Sequence, residues 1–290
     1  MKIYEVIEAI KNYHPQFPED YDGCDSYKSG DPKIECTGVV CALSPNINVI
    51  KKAIELHANL IVVHEPTYYT SKDSDHWPED FENRIYEEKR KLLEDHGIVI
   101  WRDHDHMHAH EPDAIFTGVL KYLGWEQHAR CEKIPGLPYA HYIVDIPKMR
   151  VKDLCHYLID KIGTNGARVV GDLQMEVERI AFVGHLIPDD YTRKDGSKGE
   201  YSVKVIETLE KQADVILPGE VIDWTTASYV NDAFQLGHHK ALINIGHFNW
   251  EELGMRYMED WLKKLLPETV CVTYVKSDDI YHYVLREETV

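Results

Sequence analysis

Short apolar runs alternate with longer amphipathic stretches along most of this chain. Each apolar run is typical of a buried strand, and each amphipathic stretch has the spacing of a helix with one apolar face. The predicted strands are TGVVCAL (37–43), NLIVV (59–63), GIVIW (97–101), AHYIVDI (140–146), RIAFVG (179–184), DVILP (214–218), ALINIG (241–246) and TVCVTYV (269–275). The predicted helices cover residues 45–57, 79–96, 112–124, 150–162, 200–212, 222–236 and 249–266. This alternation predicts an α/β fold with mixed or mostly parallel sheets covered by helices.

Two of the predicted helix ends are marked by a residue type that favours such an end. Pro45 is predicted at the first helical position of 45–57, because the N–H that proline lacks would have no helical partner there. Gly124 is predicted to end the helix 112–124, because glycine readily adopts the left-handed conformation of a helix C-cap.

The two halves of the chain resemble each other. Residues 53–65 align with 208–220 at an offset of 155, and residues 97–104 align with 240–247 at an offset of 143. We therefore predict two related α/β units that face each other across one cleft. The predicted domains are 1–128 and 129–290, and the spacing leaves no room for a large inserted domain.

Charge and hydropathy exclude several classes of partner. The chain has 50 acidic and 32 basic residues among 290, for a net charge of −18, so nucleic acids and anionic membranes would be repelled while divalent cations would be attracted. No apolar run approaches the roughly 20 residues that span a bilayer. The start lacks the apolar core of a signal peptide, and the six cysteines are scattered without a C-x-x-C pair. These features predict a cytoplasmic protein with reduced cysteines.

Metal-ligand residue types cluster where three predicted strands end. In open α/β sheets, ligands bind beyond the carboxyl ends of the strands. Imidazole and carboxylate together suit Zn²⁺, Fe²⁺ or Mn²⁺ better than Ca²⁺. Because one Zn²⁺ takes about four ligands, six candidates suit two ions better than one. The candidate metal ligands are His64, Glu65, His104, His108, His247 and Glu251.

Simpler interpretations of the same residues stay open. A single histidine at a strand end, such as His64, is often a structural residue with its hydrogen bonds satisfied. The alternating histidines of DHDHMHAHE (103–111) are also compatible with a solvated loop, and we expect His106 and His110 to be bystanders of that kind.

The motifs LIVVHEPTYY, H-x-x-x-H after GIVIW, LPGE and INIGHFNWEELG resemble the dinuclear metal centre proteins, also called the Ngg-interacting-factor-three-like family and often labelled GTP cyclohydrolase type 2. The resemblance covers about residues 34–288 in the same order. It implies two related α/β domains around a cleft that holds two divalent metals, in a homo-oligomer that is often a toroidal hexamer. By position, the family's ligands fall on His64, Glu65, His108, His247 and Glu251, with His104 beside them.

This chain departs from the family pattern at two ligand positions. The family commonly has His-His-Pro where this chain has His64-Glu65-Pro66, and a bridging aspartate where this chain has His108. An imidazole cannot bridge two metals as a carboxylate can, so Glu65 or Glu251 would have to bridge. The family's glycine-rich turn after RIAFVG is also replaced, by GHLIP.

Two functions are compatible with these residues. The first is a dinuclear-metal-dependent hydrolase that acts on a small molecule, such as a nucleotide or a phosphate ester, by metal-activated water, with Glu65 or Glu220 as proton carrier. The second is a non-catalytic metal carrier or regulatory scaffold. The sequence does not name a substrate.

Overall fold

A computed structural model describes residues 1–73, 81–134, 140–186, 190–192 and 196–285 of the chain. The chain divides into two compact units. The first comprises Met1–Val119 and Glu251–Ser277, and the second comprises Leu120–Trp250 and Asp278–Val290. The first unit therefore includes a late segment that the sequence-based division at residue 128 assigns to the second half.

The helices and strands mostly follow the predicted order. The helices are α1 (Ile3–Tyr13), α2 (Ile47–Glu55), α3 (Arg84–Asp95), α4 (Asp105–Ala109), α5 (Ala114–Leu123), α6 (Val151–Ile162), α7 (Tyr201–Gln212), α8 (Ser228–Gln235) and α9 (His247–Leu265). The strands are β1 (Ser26–Ser29), β2 (Val39–Ala42), β3 (Leu60–Val63), β4 (Val99–Arg102), β5 (Ala129–Lys133), β6 (Ala140–Arg150), β7 (Arg168–Val170), β8 (Glu176–Phe182), β9 (Asp190–Thr192), β10 (Lys198–Glu200), β11 (Val215–Leu217), β12 (Ala241–Asn244) and β13 (Val272–Tyr274). Within the described ranges, no helix combines the length and the apolar character needed to cross a membrane.

The first unit is built on a five-stranded sheet in the order β1-β4-β3-β2-β13. All its neighbouring strands are parallel except β1, which runs antiparallel to β4. Every residue of β2, β3 and β4 is buried, which explains why these segments are continuous apolar runs rather than alternating ones, apart from Arg102 at the end of β4. The parallel pairing brings the carboxyl ends of β3 and β4 to the same edge of the sheet.

The second unit is built on a six-stranded sheet in the order β5-β6-β8-β11-β12-β7. Strands β8, β11 and β12 are parallel, whereas β6 and β7 run antiparallel to the strands that they flank. The α/β fold with two mixed sheets covered by helices is therefore confirmed.

Both sheets share one topological pattern. In each, three parallel strands that follow one another in the sequence lie side by side: β2, β3 and β4 in the first sheet, and β8, β11 and β12 in the second. An antiparallel strand that precedes them in the sequence pairs with the third of them. In this pattern β3 corresponds to β11 and β4 to β12, the same pairs that the sequence offsets relate. The pattern agrees with an internal duplication, which stays a prediction.

The ends of the helices differ from the predicted ends for local reasons. The prediction that Pro45 occupies the first helical position is wrong, because Asn46 caps α2 by accepting a hydrogen bond from Val49 N–H. Helix α3 begins later than predicted, after the cap Asn83, and residues 79 and 80 of the predicted helix lie outside the described residues. Gly124 has a φ of +72°, as expected for the residue that ends α5.

A buried histidine supports the end of β8 in the second unit. His141 lies between the hydroxyls of Thr208 and Tyr201, each 2.9 Å from one ring nitrogen. The Tyr201 hydroxyl also accepts a hydrogen bond from Gly184 N–H at 2.7 Å. Burial lowers the pKa of His141 to about 3, so the folded protein holds this ring neutral.

This burial predicts a specific loss of stability in mild acid. Below a pH of about 6.5 the unfolded chain protonates His141 and the folded chain does not, so the free energy of unfolding should fall by about 1 to 2 kcal/mol between pH 7 and pH 5. Denaturant unfolding of the parent and of His141→Gln across this range isolates the effect, because glutamine does not titrate. Identical pH profiles for the two proteins would contradict the assignment.

Candidate metal centre

Three histidines of the first unit meet at the carboxyl edge of its sheet. His64 directly follows β3, and His104 follows β4 on the neighbouring strand. Helix α4 then places His108 one turn after His104, so that both side chains lie on one helix face. The ring centroids are 4.4 Å apart for His64–His104, and 4.9 Å apart for both His64–His108 and His104–His108.

Each of these rings is held through its Nδ1 atom by an oxygen acceptor. Such acceptors fix the tautomer of metal-binding histidines and make the ligand nitrogen more basic. The contacts are His64 Nδ1 to the Asp103 carbonyl at 3.2 Å, His104 Nδ1 to Asp105 Oδ1 at 2.7 Å, and His108 Nδ1 to Asp113 Oδ2 at 2.8 Å. The hydrogen bond from His104 lowers the pKa of Asp105, which keeps this acceptor ionised.

With the proton of each ring on Nδ1, the Nε2 atom carries the lone pair that can bind a metal. One ligand nitrogen from each ring lies within 4.8 Å of the other two, which is close enough for a single ion to contact all three. Three imidazole ligands with a further open position are a known set for catalytic zinc. The residues therefore fit a divalent transition metal.

Two buried carboxylates extend this cluster. Glu65 and Glu251 are 6% and 3% exposed, and one oxygen of each lies within 4.8 Å of a His64 nitrogen and of the other. His64 Nε2 is 3.6 Å from Glu251 Oε2. Because the ring carries its proton on Nδ1, its Nε2 lone pair and the Glu251 carboxylate could both bind one cation.

Buried cationic side chains fix the segment that follows β3. Arg102 Nε donates to the His64 carbonyl at 3.1 Å, and Lys89 Nζ donates to the Thr67 carbonyl at 2.6 Å. Asp73 accepts hydrogen bonds from the backbone N–H groups of Thr67 and Tyr68. Burial lowers the pKa of Lys89 to about 8. These contacts fix the backbone that carries His64 and Glu65.

The neighbouring Asp25 also approaches a histidine, but its acceptor positions are already filled. The Asp25 carboxylate accepts from the backbone N–H groups of His104, Asp105 and His106, and from His106 Nδ1 at 2.6 Å. Burial alone would raise the pKa of Asp25, but the hydrogen bonds centred on His106 lower it below its usual range. Asp25 therefore holds the turn between β4 and α4. The expectation that His106 is a solvated bystander is wrong, because the residue is only 5% exposed.

The second unit carries a separate group at the ends of its three parallel strands. His185, Glu220 and His247 follow β8, β11 and β12, and each comes directly after a glycine. His247 Nδ1 lies 3.1 Å from Glu220 Oε1, so a carboxylate supports this ring as in the first unit. The rings of His185 and His247 are 4.5 Å apart.

His185 differs from the other histidines in its tautomer. Its Nδ1 accepts a hydrogen bond from Glu220 N–H at 3.0 Å, so the neutral ring carries its proton on Nε2. A Cβ at Gly219 would lie 2.5 Å from that Nδ1, so a larger residue at this position would displace the His185 ring. In this state His185 is a hydrogen-bond donor and not a metal ligand.

The structure thus groups five of the six predicted ligands in the first unit: His64, Glu65, His104, His108 and Glu251. His247 belongs to the second unit, where it contacts Glu220 and His185. The supporting roles of Asp25, Asp105 and Asp113, and the contact of His185 with Glu220, were not predicted from the sequence. A signal existed for two of the aspartates, because Asp105 comes one residue after His104 and Asp113 comes five residues after His108.

The acceptor at His108 gives a testable prediction. Asp113 also caps α5 by accepting from Phe116 N–H at 3.0 Å, and asparagine can keep that cap. In Asp113→Asn the amide N–H₂ then faces His108 Nδ1 and favours the tautomer with the proton on Nε2. We expect metal affinity, measured by chelator competition, to fall roughly 10–100-fold.

A matched control is Asp31→Asn, which changes an exposed aspartate that accepts from Lys33 N–H. The metal-free proteins should unfold at similar temperatures. Parent-like metal affinity in Asp113→Asn would show that Asp113 does not set the His108 tautomer.

Fold and site together define an α/β protein with groups of histidines and carboxylates suited to metal ions at its strand ends. The sequence profile of the family Duf34/NIF3 (NGG1p interacting factor 3) matches residues 1–280, and the chain belongs to this family.

Curated relatives and solved structures agree with this assignment. A GTP cyclohydrolase 1 type 2 homolog of Clostridium perfringens is 24% identical over 259 residues, covering 87% of each chain. A protein of the same description from Chlamydia trachomatis is 22% identical over 268 residues, covering 91% of this chain and 94% of the relative. The fold is similar to that of the Staphylococcus aureus hypothetical protein SA1388, with a TM-score of 0.70, 17% identity and coverage of 98% and 99%. It is equally similar to a Bacillus cereus protein related to NIF3, with a TM-score of 0.70, 15% identity and the same coverage.

Proposed function

We propose that this protein is a dinuclear-metal-dependent hydrolase that acts on a small molecule. The observation that carries this proposal is the cluster of His64, His104 and His108, whose Nδ1 atoms all have oxygen acceptors, beside two buried carboxylates. A pair of bound divalent ions such as Zn²⁺, Fe²⁺ or Mn²⁺ supplies a Lewis acid and lowers the pKa of a water molecule. The names of the curated relatives support a hydrolytic reaction on a small molecule.

The proposed ligands divide between the two ions by chemistry. Each imidazole offers a single lone pair once its Nδ1 is protonated, so His64, His104 and His108 would hold one ion. Glu65 and Glu251 would hold the second, and either carboxylate can bridge. The family resemblance adds His247, which begins the helix that also carries Glu251.

Two glutamates are the proposed proton carriers, and their surroundings differ. The Glu65 carboxylate is buried beside His64, which shields it from bulk water. The Glu220 side chain is 62% exposed and contacts His247 Nδ1, so it can exchange protons with solvent. Glu220 thus suits the exchange of a proton with bulk water, and Glu65 suits transfer inside the site.

Metal binding and hydrolysis, measured on the same preparation, test the proposal together. The full chain, reconstituted with Zn²⁺, Mn²⁺ or Fe²⁺, should hydrolyse at least one member of a panel of phosphate esters and nucleotides. The double variant His64→Ala/His247→Ala should lose both metal and turnover. Absence of bound transition metal after reconstitution would contradict the proposal.

The same experiment separates the enzyme from a metal carrier or regulatory scaffold. Tightly retained metal, with turnover no greater than that of the double variant over the whole panel, is the result that a carrier or scaffold would give. In that case the ligand assignment holds and the hydrolase assignment is wrong.

Location and assembly remain part of the proposal. We propose a cytoplasmic homo-oligomer, which the family resemblance extends to a toroidal hexamer, with a small-molecule substrate and no nucleic-acid or membrane partner. The net charge of −18 supports the exclusion of nucleic acids and anionic membranes. Sedimentation of the purified protein measures the subunit number.

A further inference from the structure

The second unit contains a cavity of about 470 Å³ beside His247. Asn244, the last residue of β12, and Arg168, the first residue of β7, are register partners and lie on its wall. The segment 279–283 forms another part of the wall. The cavity lies beyond the carboxyl ends of parallel strands, where α/β sheets bind their ligands.

Hydrogen bonds attach the segment 279–283, the C-terminal part of the cavity wall, to the rest of the second unit. The Asp279 carboxylate accepts from Thr164 Oγ1 at 2.6 Å and from Asn165 N–H at 3.0 Å. Asn165 Nδ2 also donates to the Tyr281 carbonyl at 2.8 Å. The Tyr283 ring lies against Gly166, where a Cβ would come within 3.3 Å of three ring atoms. The aromatic side chains of this wall are therefore attached to a defined surface.

Arg168 is the charged side chain of the lining that favours an anion. The two carboxylates of the lining are already engaged, Glu220 with His247 and Asp279 with residues 164–165. Within the ranges that the structure describes, the Arg168 guanidinium has no hydrogen bond and no ion pair, although the backbone of Arg168 pairs with β12. In a chain with a net charge of −18, a guanidinium without a carboxylate partner at a cavity wall is an anion receptor.

Neutral side chains of the lining add a hydrogen-bond donor and aromatic surfaces to the cavity. The Asn244 side-chain oxygen accepts from Gly246 N–H at 2.8 Å, which leaves the amide N–H₂ as the donor end of this side chain. Phe248, Tyr281 and Tyr283 contribute aromatic rings to the lining. A flat ring stacks on such side chains with more energy than its buried area alone supplies.

We propose that this cavity binds a small organic anion with a flat aromatic ring, whose phosphate or carboxylate group contacts Arg168 and Asn244 and whose ring stacks on Tyr281 and Tyr283. Binding of this ligand class follows from the second unit alone. The statement that such a molecule is the substrate rests on the proposed function, because His247 lies on the same cavity wall.

Calorimetric titration of the full chain in its metal-free form tests the binding without involving the metal proposal. Phenyl phosphate should bind about 3- to 10-fold more tightly than cyclohexyl phosphate, which has the same charge and no aromatic ring. Inorganic phosphate should bind more weakly than both. Arg168→Gln should weaken phenyl phosphate binding about 10-fold or more, because it removes charge-assisted hydrogen bonds.

Two further variants keep the test specific. Arg150→Gln removes an exposed arginine of the second unit that pairs with Asp153, and it should leave binding unchanged. Tyr281→Leu changes a residue that is 62% exposed, so the fold should survive, and the preference for phenyl over cyclohexyl phosphate should shrink.

The proposal is overturned if phenyl phosphate does not bind saturably, if it binds Arg168→Gln as tightly as the parent, or if the two organic phosphates bind equally. Because these titrations contain no metal, their failure is distinct from a failure of the metal-loading experiment. Binding as predicted in a protein that loads no metal would leave the cavity assignment standing and contradict the hydrolase.

Discussion

Replacing His64 with alanine should remove the first metal ion and weaken the second. His64 contributes a nitrogen to the group with His104 and His108 and also to the group with Glu65 and Glu251. Loss of an outer-shell partner costs roughly 10–100-fold in affinity, and loss of a direct ligand from a set of three should cost more. Elemental analysis after dialysis against a weak chelator should therefore find the His64→Ala protein nearly metal-free.

The matched control is His96→Ala, which replaces an exposed histidine at the end of α3. It should bind as much metal as the parent. Circular dichroism should show a folded protein in both variants, because His64 lies at a sheet edge rather than inside the apolar core. A folded His64→Ala protein with the metal content of the parent would rule out His64 as a shared ligand.

Glu251→Gln should change stability in opposite directions with and without metal. In the metal-free protein, two carboxylates lie within 4.8 Å in a buried site, where like charges at an effective dielectric constant of about 20 repel by about 3 kcal/mol. Small shifts of the two side chains relieve some of that repulsion, so we expect the neutral glutamine to stabilise the metal-free protein by about 1 kcal/mol.

With metal bound, the sign should reverse because the variant lacks an anionic ligand. Ligand at about 100 times its dissociation constant stabilises the folded state by about 2.7 kcal/mol, and the variant would lose most of this gain for one ion. Unfolding with and without saturating Zn²⁺ measures both effects. The control Glu252→Gln changes the next residue of α9, whose carboxylate accepts from Tyr274 Oη and Ser277 N–H. That variant should be destabilised equally in both states, whereas an equal change for Glu251→Gln would contradict a role in metal binding.

The central strands of each sheet could be predicted from the sequence, because their apolar residues are the ones that the folded protein buries. Strands β2 and β3 are apolar at every position, and β4 at every position except Arg102, because helices cover both faces. The strand-end residues follow from strand direction. His104 and His108 could be paired from their spacing. Helix α4 itself has only five residues and leaves no periodic signal.

The supporting contacts could not be predicted in the same way, because they join segments far apart in the chain. Asp25 holds the backbone of residues 104–106 across about 80 positions, and no local pattern indicates this. The alternating polar residues around His106 predict a solvated side chain, but in the structure the ring is buried and hydrogen-bonded to Asp25. His185 has no other histidine near it in the sequence, and the parallel register of β8 and β11 brings it to Glu220.

Anomalous diffraction from crystals of the metal-loaded protein tests the central claim most directly. Data at the Zn, Fe and Mn absorption edges should show one peak about 2.0–2.1 Å from the Nε2 atoms of His64, His104 and His108. A second peak should lie about 3.5–4 Å away, beside Glu65 and Glu251. The absence of a peak within bonding distance of the three histidines would contradict the account. A metal bound instead to the Asp25 carboxylate, in place of its hydrogen bonds to residues 104–106, would also contradict it.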